Sequence, residues 1–267
     1  MLKRVYTILI MSLFSIPTSV FAGWVIVEQK SSPQGIITHD TISVQNNKMR
    51  SGGKEATYIY DLNKNEITVI NNFYKTYWTG TVEQYRAGLI AGIKVEIDAM
   101  VSKMPKDKQE AARSQFESML KVFESQDGNP KKNENKVSTK KIIDRTQVLG
   151  YNTQRHEFYL NGEKKLTTWI SEKINISNDF DLDKFSAFMN KMMNNNAQLS
   201  IKSTPEYTKM MKQGYPLKTI EYVGSKEVVG EVLSAKKQNL PDAHFKPNPS
   251  FKAITIEELV RSIRKPR

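Results

Sequence analysis

Three histidines and one run of alternating aspartates are the residues best suited to metal or acid–base chemistry. His39, His156 and His244 are far apart in the sequence, and the chain has no Cys, so no zinc-type ligand spacing occurs. The run Asp179-Phe180-Asp181-Leu182-Asp183 begins like a calcium loop, but Lys184 takes the place of the required Gly and Asn190 that of the final Glu. We therefore predict that these aspartates cap a helix, and we predict no metal and no cofactor.

Recognisable catalytic motifs are also absent from the sequence. There is no Gly-x-Ser-x-Gly elbow, no Ser-x-x-Lys motif and no glycine-rich phosphate loop. The prediction is a protein that is not an enzyme. A hydrolase with dispersed carboxylates remains an alternative, because such sites leave no motif.

Apolar side chains suggest a different chemistry, which is binding of a hydrophobic ligand. Thioethers are flexible and adapt to irregular partners, and large aromatic side chains can form pocket walls. The alternative is that the same side chains simply fill a core. The candidate pocket residues are Trp78, Tyr85, Leu89, Ile93, Trp169, Phe185, Phe188, Met189, Met192 and Met193.

The elements that position these side chains begin with a β-meander and a long helix. Strand-like runs at residues 57–62, 66–70 and 73–78 are separated by Asn-rich breaks that suit hairpins. From residue 82 to 104 the apolar period becomes helical, with a stripe formed by Val82, Tyr85, Leu89, Ile93, Ile97, Met100 and Met104. A second helix is predicted at residues 111–124, and a third carries Leu182, Phe185, Phe188, Met189, Met192 and Met193. Such stripes need an apolar surface to cover them, and the sheet offers one.

Further strands complete the predicted sheet on both sides of the helices. Two strands precede the meander, three follow residue 137 with Asn161-Gly162 as a tight turn, and a last hairpin spans residues 215–235. The predicted fold class is therefore α+β, a curved antiparallel sheet with helices packed on its concave face.

The ends of the chain indicate export. Lys3 and Arg4, an apolar stretch too short to span a bilayer, and Val20-Phe21-Ala22 together predict a signal peptide cleaved after Ala22. The formal charge of +12 then becomes +10, and the absence of Cys requires a hydrophobic core without disulfides. We expect a periplasmic or secreted protein with one domain at residues 23–252 and a basic C-terminal helix or tail at residues 253–267. Residues 126–136 are predicted to be an exposed loop.

Several short patterns are spread over the chain. They are Lys48-Met49-Arg50, Tyr60-Asp61-Leu62-Asn63-Lys64, Lys75-Thr76-Tyr77, Gly214-Tyr215-Pro216-Leu217-Lys218 and Leu240-Pro241-Asp242-Ala243-His244-Phe245 followed by Pro247. Together they resemble the DUF4412 domain family, grouped with the LolA/LolB-like lipoprotein carriers. The resemblance implies a half-barrel whose helices cover an acyl-chain site, with no catalytic residues. Arg50 is the nearest candidate for the carriers' sealing arginine.

The expected function is a non-enzymatic exported protein that holds a lipid, or a lipoprotein acyl chain, between sheet and helices. The alternative is an envelope protein with a solid core that acts through its surface. The basic charge suits an envelope protein or an anionic membrane surface as partner. In an exported chain we expect no nucleic-acid partner.

Overall fold

The computed structural model describes residues 22–124, 136–143, 146–193 and 201–264. The predicted signal peptide up to residue 21, most of the predicted basic loop and residues 265–267 lie outside these ranges. The described strands are β1 (Gly23–Ser31), β2 (Ile37–Gln45), β3 (Lys48–Gly52), β4 (Ala56–Asp61), β5 (Glu66–Asn71), β6 (Thr76–Thr81), β7 (Val137–Ile142), β8 (Gln147–Val148), β9 (Tyr151–Asn152), β10 (Gln154–Leu160), β11 (Glu163–Ser171), β12 (Tyr215–Val223), β13 (Lys226–Gln238) and β14 (Lys252–Ala253).

Twelve of these strands form one open sheet in the order β14-β6-β5-β4-β3-β2-β1-β13-β12-β11-β10-β7, and β8 pairs with β9 separately. Every pairing in the large sheet is antiparallel except the short contact of β14 with β6. Pairing of β1 with β13 joins the N-terminal meander to the C-terminal strands. The predicted α+β class with an antiparallel sheet is confirmed.

The described residues include five α-helices: α1 (Val82–Val101), α2 (Lys106–Glu124), α3 (Leu182–Met193), α4 (Pro205–Met211) and α5 (Ile256–Arg264). Helix α1 begins with a capping box, in which Thr81 accepts from the backbone of Gln84 and the Gln84 side chain accepts from the backbone of Thr81. Asp181 caps α3 by accepting from the backbone N–H groups of Asp183 and Lys184. The predicted capping role is confirmed for Asp181, and Asp183 lies in the first turn of the helix.

The two faces of the sheet are covered differently. We call the face that packs against the helices the inner face; its main core includes Ile26, Val44, Met49, Tyr60, Val69, Trp78, Leu217 and Val232. We call the other face the outer face. There Ile59 and Ile70 pack under Leu240 and Phe245 of a segment, residues 240–251, that follows β13. The chain therefore buries apolar side chains on both sides of β4 and β5.

Three local predictions need correction. Phe73 and Tyr74 lie in a turn, and β6 begins only at Thr76. The reason is that the backbone N–H groups of Phe73 and Tyr74 donate to the side chain of Asn71 and not to a neighbouring strand. The first of the three strands predicted after residue 137 was expected to continue to residue 149, but it ends at Ile142, and β8 and β9 form a separate hairpin. The stripe of α1 does not face the sheet throughout, since Met100 is 50% exposed.

Candidate ligand-binding site

The inner face brings most of the predicted pocket residues into one apolar cluster. Trp78 on β6 and Phe188 on α3 are buried in the main core, where they contact residues from both sheet and helices. The half-buried members of the same cluster are Tyr85, Phe185, Met189 and Met192. Residues more than 100 positions apart in the chain thus line one apolar seam between the sheet and helices α1 and α3.

Tyr60 is the centre of this cluster, although it was not among the predicted pocket residues. Its ring lies edge-on to Phe185 and Phe188, with centroids 5.3 and 5.8 Å away. Phe185 also contacts Phe180 at 5.1 Å. Burial raises the pKa of the Tyr60 hydroxyl above its ordinary value, as expected for a phenol inside an apolar cluster.

Helix α1 supplies the second wall. The ring of Tyr85 lies 5.9 Å from that of Trp78, so the first turns of α1 are fixed to β6. Leu89 and Ile93 are half-buried on the same stripe but do not join the main core. Met193 lies at the end of α3, where only the backbone is described.

Trp169 belongs to the outer face and cannot line this seam. Its neighbours on β11, Thr168 and Ile170, are buried, and Ile170 packs under helix α4 with Phe158. Side chains alternate along a strand, so Trp169 points the other way, beside Lys218 of β12. The Lys218 ammonium lies 6.0 Å from its ring centroid. This placement corrects the prediction for Trp169.

The start of α3 is attached to the sheet by polar contacts. The Asn47 backbone N–H donates to Asp179 at 2.8 Å, and the Asn47 side chain accepts from the backbone N–H of Asp181 at 2.8 Å. Lys212 reaches Asp183 at 2.6 Å. These groups border an open, polar groove of about 620 Å³ at the start of the helix. Beyond this start, α3 meets the core through aromatic and thioether side chains.

A small cavity of about 170 Å³ lies between the sheet and helix α4. Tyr215 is 5% exposed, and its hydroxyl donates to Glu28 at 2.7 Å. Tyr207 and Gly230 also line the cavity. Burial raises the pKa of the Tyr207 hydroxyl and that of the Tyr215 hydroxyl. The sequence analysis missed this cavity; Gly230 in the middle of a strand was the one available signal.

The histidines do not form a common centre. His39 is exposed on β2, His156 is buried on β10, and His244 is half-buried in the outer-face segment. Among the described residues no group of three His, Asp or Glu side chains could hold a metal ion. What converges on the inner face is therefore apolar contact surface.

The arginine suggested by the resemblance also lies away from the seam. Met49 packs in the main core, so Arg50 points to the outer face, where its guanidinium donates to the carbonyls of His244 and Lys246 at 3.0 and 3.1 Å. Arg50 thus fixes the segment at residues 240–251 and does not seal the helix-covered side.

Helices in the described ranges offer no segment with the length and hydropathy needed to cross a bilayer.

Comparison with known proteins adds a family assignment. No curated protein matches the chain. The model of a domain of unknown function, DUF4412, matches residues 100–251, from the end of α1 to the outer-face segment. The patterns at residues 214–218 and 240–247 fall inside this match, whereas those in the N-terminal meander fall before it. Since the match covers more than half of the sequence, the chain belongs to the DUF4412 family.

Proposed function

We propose that this protein is an exported, non-enzymatic binding protein of the cell envelope. Its ligand is a lipid, or the acyl chain of a lipidated partner, held at the seam between the sheet and helices α1 and α3. The periplasm is the proposed location, because the N-terminal sequence has the pattern of a cleaved signal peptide. The resemblance to the half-barrel lipoprotein carriers supports the same function.

One observation carries the proposal: aromatic and thioether side chains converge on the seam but are not all buried. Tyr85, Phe185, Met189 and Met192 are only partly buried while they touch the main core. An apolar ligand would cover the exposed part of these side chains, and each buried methylene would contribute about 0.8 kcal/mol. Thioethers adapt their shape to such a ligand at low cost.

Binding a long chain requires helix α3 to move outward. The polar contacts of Asn47 hold only the start of α3, so its second half can separate by exchanging apolar contacts with the protein for apolar contacts with the ligand. The ring of Phe188 lies edge-on to that of Tyr60 on β4, and its displacement would open the site towards the sheet.

Native mass spectrometry of the protein purified from its own host tests the proposal. We expect bound lipid that leaves on organic extraction, and we expect the extracted protein to bind a fluorescent fatty acid. Met192→Glu should weaken probe binding at least tenfold, because it places a carboxylate at the seam. Met100→Glu makes the same change at a 50% exposed position of α1 and should leave binding unchanged.

The opposite results would exclude a ligand site at the seam. One such result is a purified protein that carries no lipid and does not bind the probe after extraction. The other is equal probe binding by the Met192→Glu and Met100→Glu variants. Normal thermal unfolding of both variants establishes that a loss of binding is not a loss of fold.

A second candidate function is an interaction protein with a solid core. It is favoured by the size of the cavity beneath α4, since about 170 Å³ is below the roughly 300–1,000 Å³ of ligand pockets. Such a protein would cofractionate with an envelope complex, and added salt would weaken the association if its basic surface makes the contact.

A further inference from the structure

Hairpin turns at one end of the large sheet expose apolar side chains. Because the strands are antiparallel, the β1–β2, β3–β4, β5–β6, β10–β11 and β12–β13 turns share one end, and the β2–β3 and β4–β5 turns share the other. The first end carries what we call the apolar tip surface, which comprises Ile36 (62% exposed), Ile37 (55%), Phe73 (66%), Tyr74 (44%) and Val223 (62%). The two turns at the other end contain Asn46, Asn47, Asn63, Lys64 and Asn65.

Comparison of two turns with the same geometry shows that the turn itself does not require the aromatic residues. In the β4–β5 turn, Asp61 accepts from the backbone N–H groups of Asn63 and Lys64 at 3.1 and 3.2 Å, and Asn65 has a φ of 57°. In the β5–β6 turn, the side chain of Asn71 likewise accepts from the backbone N–H groups of Phe73 and Tyr74, both at 3.1 Å. Lys75 has a φ of 52°, as Asn65 has in the other turn. The turn therefore works with Asn-Lys at the positions where the first end has Phe-Tyr.

The β5–β6 turn holds its aromatic pair outward in a defined arrangement. The side chain of Asn72 donates to the carbonyl of Gly53 at 2.9 Å and to the Thr57 hydroxyl at 3.0 Å, which ties this turn to the β3–β4 hairpin. The rings of Phe73 and Tyr74 meet edge-on at 4.9 Å. A fixed turn thus presents two large rings to solvent, although burying one such ring is worth about 1.5–3 kcal/mol.

The apolar tips are too widely spread for one groove or helix of a partner. With neighbouring strands about 4.8 Å apart, the β5–β6 turn lies four spacings from the β1–β2 turn, and the β12–β13 turn lies two spacings further, so the row covers about 30 Å. An extended row of separate apolar tips fits a laterally continuous surface.

Positive charge accompanies the apolar tips. Lys54, Lys75 and Lys226 lie in or beside turns at this end. The backbone of Lys136 is bonded to Asn161 of the β10–β11 turn: its N–H donates to the Asn161 side-chain oxygen at 2.8 Å, and its carbonyl accepts from the Asn161 N–H at 2.9 Å. Carboxylates are present as well, at Glu55 and Glu227, so the local excess of positive charge is modest. The chain as a whole carries +12. Aromatic and aliphatic tips flanked by lysines are the arrangement that anchors proteins at lipid headgroups.

We propose that the apolar tip surface docks the protein onto an anionic lipid bilayer, with Phe73 and Tyr74 inserting at headgroup depth. The tips lie in turns, whereas the proposed ligand seam lies under α1 and α3, so this inference does not depend on the proposed ligand site. Either one can fail without the other.

Flotation of the purified protein with vesicles of phosphatidylethanolamine and phosphatidylglycerol tests the docking. The wild type should float with these vesicles. The double variant F73N/Y74K, which installs the residues of the β4–β5 turn, should lower the partition constant by at least about tenfold, as expected for loss of an inserted aromatic pair. Because the β4–β5 turn already accommodates these residues, the variant should keep its unfolding temperature.

A swap variant provides the matched control. Adding N63F/K64Y to F73N/Y74K keeps the composition of the protein but moves the aromatic pair to the other end of the sheet, away from Ile36, Ile37 and Val223. This protein should not recover flotation. If it floats like the wild type, or if F73N/Y74K does, the proposed surface is wrong.

A protein partner is the competing occupant and has its own signature. A photoreactive phenylalanine at position 73 should crosslink to lipid in intact envelopes. If the wild-type protein does not float with the vesicles and position 73 crosslinks to one protein, the proposal is overturned in favour of a protein interface.

Discussion

Gly88 of helix α1 lies directly against Ile256 of helix α5, with no room for a Cβ atom between them. One turn later Gly92 lies in the same way against Val260. Residues four apart share a helix face, so the two glycines form a flat strip on which α5 rests. Leu259 and Val260 of α5 are 0% and 3% exposed, which makes the C-terminal helix part of the core.

Replacing Gly88 with alanine should destabilise the protein by about 1–3 kcal/mol, the usual cost of overpacking. The expected sign is informative, because alanine in place of glycine inside a helix normally stabilises by about 1 kcal/mol. A Cβ at position 88 would overlap Cγ1, Cγ2 and Cβ of Ile256, so steric conflict should win. Urea unfolding measures the change.

A double-mutant cycle separates the overlap from other effects of the Gly88 substitution. Ile256→Ala alone destabilises the protein by loss of packing. In the Gly88→Ala background it also removes the side-chain atoms that would overlap the new Cβ, so the double variant should lose less stability than the sum of the two single variants. A Gly88→Ala protein that unfolds at higher urea than the wild type would show that α5 can shift freely.

Much of the sheet could be predicted because local patterns determine it. Asn161-Gly162 adopts the positive φ values of 53° and 83° that a two-residue hairpin needs, and the strands on either side pair as the sequence indicated. The apolar stripe at Val82 and Tyr85 also faces the core as predicted. Patterns with a period of two or of 3.6 residues are readable without knowledge of distant contacts.

Features that depend on distant partners could not be read in this way. Trp169 suits either face of a strand, and the neighbours that place it on the outer face, such as Lys218, are far away in sequence. The sequence predicted a basic C-terminal helix or tail at residues 253–267, but it gave no sign that this helix packs against Gly88 and Gly92, more than 160 residues earlier. No local pattern indicates that α1 needs glycines to admit α5.

Arg50 should contribute more to stability than its neighbour Lys48, although both contact the outer-face segment. The Arg50 guanidinium donates to two carbonyls, those of His244 and Lys246, whereas Lys48 forms an exposed pair with Asp242 at 3.0 Å. We expect Arg50→Met to cost about 1–3 kcal/mol and Lys48→Met at most about 1 kcal/mol. Hydrogen exchange should show faster exchange at residues 240–251 in the Arg50 variant. Equal exchange in both variants would contradict this role of Arg50.

His156 should make the fold less stable in mild acid. Burial, helped by Lys141, lowers the pKa of His156 below its ordinary value of about 6.5, so the unfolded chain takes up a proton that the folded chain resists. The contribution of neutral His156 to the free energy of unfolding is then fully present above about pH 6.5, the ordinary histidine value. It is lost as the pH falls below that value, by up to about 1.4 kcal/mol per pH unit. His156→Leu should flatten this dependence in urea titrations between pH 7 and 5. An unchanged slope would assign the acid sensitivity to other groups, such as His244, whose pKa burial also lowers.

Three buried tyrosines should make the protein sensitive to alkali in the opposite direction. Burial raises the pKa values of Tyr60, Tyr207 and Tyr215, whereas the unfolded residues ionise near pH 10. Stability is therefore complete below about pH 10 and falls above it, by about 1.4 kcal/mol per pH unit for each tyrosine that ionises only on unfolding.

Tyr215→Phe isolates one of these contributions. The variant loses the 2.7 Å hydrogen bond to Glu28, so it should be less stable by about 1–3 kcal/mol at neutral pH. Its stability should nevertheless fall less steeply above pH 10, because one ionising group has been removed. Urea unfolding at several alkaline pH values, with phenolate absorbance recorded in parallel, checks both effects. Reversible ionisation of all tyrosines near pH 10 in the folded protein would contradict the burial of these hydroxyl groups.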